Sequence, residues 1–451
     1  MLVDCTYALF GKNYTKLVAL DVTAARREIC KKMKQKERIA GFILLAAVVL
    51  FGMFGLKTPM LYFRLAAGLA LGYALSRGYM GFAGSVNRAY NAGSTKLMRA
   101  LMFMFFITAI LSTAFLFGAD LSELKLGVRP INMGLVIGGI LFGFGMAFCS
   151  CCASGALTDM AAELPKAFIT LVFLCVGVFL GFPIQHTATW VKDSIIKTGD
   201  KNGVFFPDLF KFDGFDGYLG SIIITGILCL IVVKLSYMYE NKRKKDGSYS
   251  KLGSEMTQLS DEKKSLEENG GTCPLCESGY EKIFVRSWSL KKASIVIAGI
   301  FILLMGITKS GWGVSTPFGI WFGKVLMLFG VSADAIGEFV KGDTKHYVAP
   351  LLEHGSSVQD IGIILGAFFY MLTSNTFVAS FKASLKINFK QIIFYAIGGF
   401  VMGFGTRLSN GCNAGALFTP IANFSLSGWF YLIFMASGGV LGNIVAKKVR
   451  I

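Results

Sequence analysis

The chain has 451 residues, of which 54% are hydrophobic and only 16% charged, and its mean hydropathy is +0.59. A soluble chain carries roughly 25% charged residues, so this composition excludes a water-soluble protein and predicts an all-α polytopic membrane protein. The net charge of +18 does not point to nucleic acid, because Lys and Arg sit in short runs beside apolar spans, where they read as cytoplasmic anchors.

The first 30 residues are too polar for a signal peptide, and the cytoplasmic N-terminal segment expected over 1–38 ends in the basic run Cys30–Arg38. A first membrane half is expected over 39–238. Its apolar runs are Ile39–Leu56, Leu61–Gly84, Leu97–Gly118, Ile131–Ala153, Ala167–His186 and Tyr218–Met238. Basic residues at Arg77, Arg88, Lys96, Arg99 and 242–245 alternate with these runs as the positive-inside rule requires. Residues 239–292 are polar and read as a flexible cytoplasmic linker. A second membrane half, 293–451, has runs at Ala293–Lys309, Val358–Phe381, Gln391–Cys412 and Gly428–Ala446. The short apolar stretch beginning at Thr316 is either a re-entrant or interfacial helix or an extra crossing. About ten spans follow, with the N-terminus, linker and C-terminus in the cytoplasm.

Two segments align without gaps at an offset of 260, Gly143–Leu157 (GFGMAFCSCCASGAL) and Gly403–Leu417 (GFGTRLSNGCNAGAL). They share Gly143/Gly403, Phe144/Phe404, Gly145/Gly405, Cys152/Cys412, Gly155/Gly415, Ala156/Ala416 and Leu157/Leu417. The charge anchors run the two copies in opposite directions across the membrane, as in the inverted repeats of many transporters. Weaker copies are expected at Gly72–Gly84 and Gly362–Ser380.

Each strong motif ends its apolar run in small residues, which break a helix. Irregular backbone at membrane depth is tolerated where it is buried or lines a polar cavity. The helix that follows opens with unpaired N–H groups suited to an anion. Gly411, Gly415 and Gly155 would let an ion approach the backbone. The thiols of Cys152 and Cys412 are soft and polarisable, which suits a terminal sulfur or selenium better than a hard ion. Cys149 and Cys151 have no Cys counterpart and either tune the site or fill space. Cys5, Cys30, Cys175 and Cys229 read as small packing residues. Arg407, inside a span, is a candidate for attracting an anion, whereas Arg77 lies at the cytoplasmic end and reads as snorkelling. Cys273 and Cys276 form one CxxC, half of a zinc site at most. No ATP-binding motif, metal spacing or catalytic constellation stands out, so no cofactor and no enzyme chemistry is expected.

The pattern from Gly403 to Trp429, GFGTRLSNGCNAGALFTPIANFSLSGW, resembles the YeeE/YedE family of bacterial inner-membrane proteins, the thiosulfate transporter family. Ile137–Leu157 resembles the partner motif and Leu71–Arg88 a third. The resemblance implies an hourglass of inverted repeats with short dipping helices. It also implies thiosulfate uptake, with Cys412 and Cys152 passing the ion by S–H contacts, and Asn413 belongs to the Gly-Cys-Asn core. The family's third cysteine falls at Gly81 here. That departure leaves open another sulfur or selenium species as substrate, and the CSCC run leaves open a membrane thiol or sulfur-relay enzyme. The partners expected are a small sulfur-containing anion, the lipid bilayer and a cytoplasmic sulfur-accepting protein.

Overall fold

The computed structural model describes residues 16–267 and 277–449; Cys5, Cys273 and Cys276 lie outside the described residues. The first half contains α1 (Lys16–Gly55), α2 (Pro59–Arg77), α3 (Ala83–Ala92), α4 (Lys96–Leu116), α5 (Met133–Cys149), α6 (Ala153–Ala162), α7 (Leu164–Thr187) and α8 (Tyr218–Lys245). After α9 (Gly253–Glu267) come α10 (Leu290–Thr308), α11 (Thr316–Leu328), α12 (Gly355–Thr373), α13 (Phe377–Ser384), α14 (Phe389–Leu408) and α15 (Leu426–Lys448). Nine helical stretches among the described residues are long and apolar enough to cross a bilayer. The chain is a multi-pass membrane protein. α2 has 19 residues but carries Arg64 and Arg77. With 13 residues and about 1.5 Å of rise each, α11 is too short to cross, which decides against the extra crossing.

Helices of one half pair with helices of the other. Gly139 of α5 faces Phe434 and Gly143 faces Met435 and Gly439 of α15, so the two run parallel. In the same way Thr170 and Leu174 of α7 meet Gly399 and Gly403 of α14. α2 and α12 are also parallel: Lys57 and Arg64 bond Glu353 and Gln359 at one end, and Gly72 meets Ile363 further along. α4 and α10 complete the set, with Ser294 donating to the Ala100 carbonyl and Gly306 beside Phe115. At the centre α5 and α14 are antiparallel, Gly138 against Ser409 and Gly145 against Gly398. One two-fold exchange of α2, α4, α5 and α7 with α10, α12, α14 and α15 reproduces every one of these pairs. The strong repeat thus occupies two antiparallel helices. The weaker expected copies do not: they sit on α2 and α12, which run side by side in the same direction.

These contacts are backbone to backbone. A Cβ at Gly143 would collide with the Met435 carbonyl oxygen, and one at Gly72 with that of Ile363. Without a hydrophobic drive between helices in lipid, such close approach supplies the packing energy.

The polar interval is not wholly loop. α9 docks beneath α2: Gln258, 5% exposed, donates to the carbonyls of Gly78 (2.8 Å) and Trp288 (2.9 Å), and Glu255 pairs with Lys96 at 3.3 Å. Arg77 is buried rather than snorkelling, with Nε on the Arg286 carbonyl (2.8 Å) and Nη2 on that of Lys282 (2.9 Å). Its guanidinium also lies over Trp288. The linker chain therefore supplies the acceptors that a lone arginine at a helix end would take from water.

Two expectations follow. Gly143→Leu should destabilise the purified protein by about 1–3 kcal/mol or more through overpacking, read as a lower unfolding temperature in detergent. At the N-cap of α12, burial first, and then the nearby His346, Arg64 and Lys324, hold His354 down to about 4. Its Nδ1 accepts from the Ser357 amide at 3.3 Å, which requires that nitrogen to be unprotonated. Since the unfolded imidazole takes its proton near pH 6.5, stability should fall as pH drops from about 6.5 towards 4. His354→Gln should flatten that part of the melting-temperature profile.

Candidate permeation site

The two strong motifs fold alike. α5 ends at Cys149; Ser150 turns left-handed (φ 54°), and Cys152 is extended (φ −102°, ψ −177°) at the N-cap of α6. α14 ends at Leu408; Asn410 turns left-handed (φ 56°), and Cys412 is extended (φ −97°, ψ −172°). The Ala156 amide donates to the Cys152 carbonyl at 2.7 Å and the Ala416 amide to that of Cys412 at 2.6 Å. A left-handed residue is ordinary at a helix end. Ser150 is exposed and Asn410 half-buried, but the cysteine two residues beyond each is buried and opens a new helical turn.

Both thiols are 1% exposed, belong to one contiguous core and lie within electrostatic reach of each other. Cys152 Sγ accepts from the Gly155 amide at 3.4 Å and lies 3.3 Å from Ser154 Oγ. The Ala83 amide also reaches it, which brings the Gly78–Phe82 loop to the same point. Gly81 in that loop is half-buried, and a Cβ there would meet nothing within 4 Å. The space for a third side chain is present and empty of one.

The fourth break, Lys309–Ser315, mirrors that loop. Its Trp312 is 1% exposed, its carbonyl accepts from Thr419 Oγ1 at 2.7 Å, and Gly313 lies against Gly415. Trp312, Phe82 and Phe418 form an aromatic contact across the two halves, with ring centroids 6.1 Å to 6.4 Å apart. Gly411 has no room for a Cβ, being packed on Gly415 and Ala416. Asn413 donates to Met146 Sδ at 3.6 Å, while its Oδ1 has no partner among the described residues.

Arg407 is buried and fixed. Nη2 donates to Ser315 Oγ at 2.7 Å, Nε to Thr406 Oγ1 at 3.2 Å and Nη1 to Gln185 Oε1 at 3.4 Å. Gln185 in turn donates to Asn410 Oδ1 at 2.8 Å, so the arginine anchors the loop that carries Cys412. Its charge, that of Arg129 and the carboxyl of Asp360 all act on Cys412.

Cys149 and Cys151 pack in a second cluster, although Cys151 remains within electrostatic reach of Cys152. With Ala156 they form a separate small cluster, where Cys149 Sγ donates to the Tyr395 carbonyl at 3.5 Å and Cys151 feels Lys166 and Asp159. Arg129, Trp312, Asp360 and Tyr431 were not among the residues singled out from sequence. A signal existed for Asp360, an acid inside the apolar run from Val358, and for Arg129, which borders the run from Ile131.

A family model described as sulphur transport matches residues 77–441. The chain belongs to this sulphur transport family. All four helix breaks and both thiols fall within the matched residues, whereas α1 and nearly all of α2 lie outside them. Over 164 residues the chain is 35% identical to the probable transporter YedE of Escherichia coli K12, a stretch that is 35% of this chain and 39% of that relative. The chain thus spans well under half the length of YedE. Thiosulfate transporter TsuA of Spirochaeta thermophila is 22% identical over 392 residues, 85% of this chain and 97% of the relative. TsuA of Escherichia coli is 23% identical over 387 residues, 83% and 91% of the two chains.

The open space at Gly81 makes a specific prediction within this family fold. Gly81→Cys should leave stability within about 0.5 kcal/mol of wild type, measured by thermal unfolding in detergent. A large loss would mean that the loop needs glycine itself.

Proposed function

We propose that the protein carries thiosulfate inward across the bacterial inner membrane, along a path that passes Cys412 and then Cys152. The observation that carries this reading is the pair of buried thiols in matching backbone turns, within electrostatic reach of each other, with Arg407 and Arg129 acting on the first. Likeness to the TsuA thiosulfate transporters over most of both chains supports the substrate. The positive-inside rule assigns the basic end, with the N-terminus, the α8–α10 interval and the C-terminus, to the cytoplasm.

Each part of the ion has a suitable counterpart. Its terminal sulfur is soft and meets thiols, which are weak donors and polarisable. Its oxygens need stronger donors. Trp312 Nε1 and Arg129 Nε are buried without partners among the described residues, and Tyr431, its hydroxyl beside Ser409, lies within electrostatic reach of both thiols. Buried donors left unpaired cost stability, and an oxyanion beside them would satisfy them. The arginines offset the desolvation of a dianion, and the preformed turns leave little to reorganise when it arrives. We read this as a site for passage: among the described residues neither thiol is hydrogen-bonded to an acid or a base. A cytoplasmic sulfur-accepting protein is the partner class that the released ion would serve.

A second reading is motivated by the empty position at Gly81. With one thiol fewer on the inner side, the path suits another sulfur or selenium anion as well as thiosulfate. Competition by sulfide and selenite against labelled thiosulfate would separate the two. A thiol enzyme is the other alternative, with Cys151 beside Lys166 its best locus. It predicts a persulfide mass shift on Cys151, Cys152 or Cys276 after exposure to thiosulfate, the thiolate taking the outer sulfur and sulfite leaving.

The test is uptake of labelled thiosulfate in cells lacking other importers. Losing a hydrogen-bond donor to a charged partner costs about 1.5–3 kcal/mol, roughly ten- to a hundredfold in rate. Cys412→Ala and Cys152→Ala should each lower uptake by that range, with membrane expression unchanged. Undiminished uptake in both would remove the thiols from the path.

A further inference from the structure

One acid in the membrane interior is unexplained by the path described above. Asp360 lies in the second turn of α12, is 0% exposed, and neither carboxyl oxygen has a hydrogen-bond partner among the described residues. Buried acids in soluble cores are paired; an ionisable group left bare inside a membrane bundle marks an ion or proton pathway by default.

The charged groups on the surrounding elements are committed elsewhere. From α2, Arg64 donates to Gln359 Oε1 at 3.3 Å, while Tyr73 and Arg77 bond each other at 2.7 Å near the far end. From α6, Asp159 pairs with Lys166 at 3.2 Å. From α11, Lys324 donates to the carbonyls of Tyr347 and Ala349. From α1, Glu37 takes backbone bonds at Phe377 and Val378, and Arg38 lies over Tyr280. Glu353, just before α12, pairs with Lys57. Glu281 and Lys282, in the turn before α10, and Lys382 of α13 lie at the Arg77 end of α12. On α12 itself, His354 bonds Ser357, and Tyr370 sits by Arg77 and Tyr79. Among the described residues, the groups within electrostatic reach of Asp360 are two thiols, Cys175 of α7 and Cys412 of the path.

This placement ties a proton to the anion. An unpaired carboxylate charge in such surroundings costs several kcal/mol. An anion at Cys412 sits in its field. While the carboxyl is neutral the anion can stay; once it ionises, two like charges repel across a low-dielectric gap. Protonation and anion occupancy therefore favour each other, and such coupling is reciprocal. We infer that Asp360 is the proton carrier of the transport cycle, taking up a proton from the outer side as the sulfur anion enters and releasing it to the cytoplasmic side as the anion leaves. The inference rests on the transport reading above and adds its driving force.

The experiment uses the purified full chain in liposomes with labelled thiosulfate outside. Wild type should accumulate the label when the outside is made acid, and a protonophore should collapse that accumulation to equal concentrations. An internal pH dye should report inward proton movement on thiosulfate addition. Asp360→Asn, permanently neutral, should keep thiosulfate counterflow yet lose both the acid-driven accumulation and the dye signal. Counterflow without any proton movement in wild type would overturn the inference, as would Asp360→Asn accumulating label like wild type. If Asp360→Asn fails to fold, the wild-type dye signal decides alone. Absence of thiosulfate counterflow in wild type would instead sink the substrate reading; the dye assay is then run with sulfide and selenite, and exchange of either without proton movement also overturns the inference.

Discussion

Direct backbone contact between the two halves is the constraint on which the rest depends. Gly143 against Met435 and Gly403 against Leu174 are the two strong-motif copies doing the same thing with opposite partners. Gly72 against Ile363 does it at the flank. In a bilayer, Leu on Leu gains nothing over Leu on lipid, so closeness must come from small residues. Closeness has a second result. Because α5 and α14 touch in antiparallel fashion, their broken ends lie at opposite ends of the contact, and the thiols of Cys152 and Cys412 beyond those ends belong to one core. A looser bundle would leave Ser150–Cys152 and Ser409–Cys412 in separate cavities, and irregular backbone at that depth needs protein on all sides.

Much of this was legible in the chain, and for physical reasons. Membrane helices announce themselves by length and apolarity, and the repeat by identities that lie where backbone touches backbone. The doubly unusual GCN and CCAS endings pointed to broken helices because nothing else places small polar residues at the end of an apolar run. What stayed hidden was pairing between distant segments. Gly72–Gly84 and Gly362–Ser380 resemble each other because both are glycine faces of parallel partners, and composition cannot tell partnership from symmetry. Arg77 was misread for a related reason: its acceptors, the carbonyls of Lys282 and Arg286, belong to a polar stretch whose docking no periodicity signals. That Cys149 and Cys151 pack in a different cluster from Cys152 was also beyond sequence reading, because it depends on the left-handed turn at Ser150.

The symmetry of the backbone is not matched by symmetry of charge. Around Cys412 stand Arg407, Arg129 and Asp360, whereas Cys152 has a serine hydroxyl and the amides of Gly155 and Ala83. Two equal sites would hold a dianion equally and give it no reason to move on. If the proposed path is right, two like turns with unlike surroundings would instead offer a strong electrostatic hold on one side and a weaker, neutral hydrogen-bonding one on the other. Conduction requires binding tight enough to enter and loose enough to leave. On that reading the capturing arginines cannot change charge in the physiological range. A neighbouring carboxyl such as Asp360 can, so its ionisation would loosen the hold and tie the direction of movement to a proton without being needed for exchange itself.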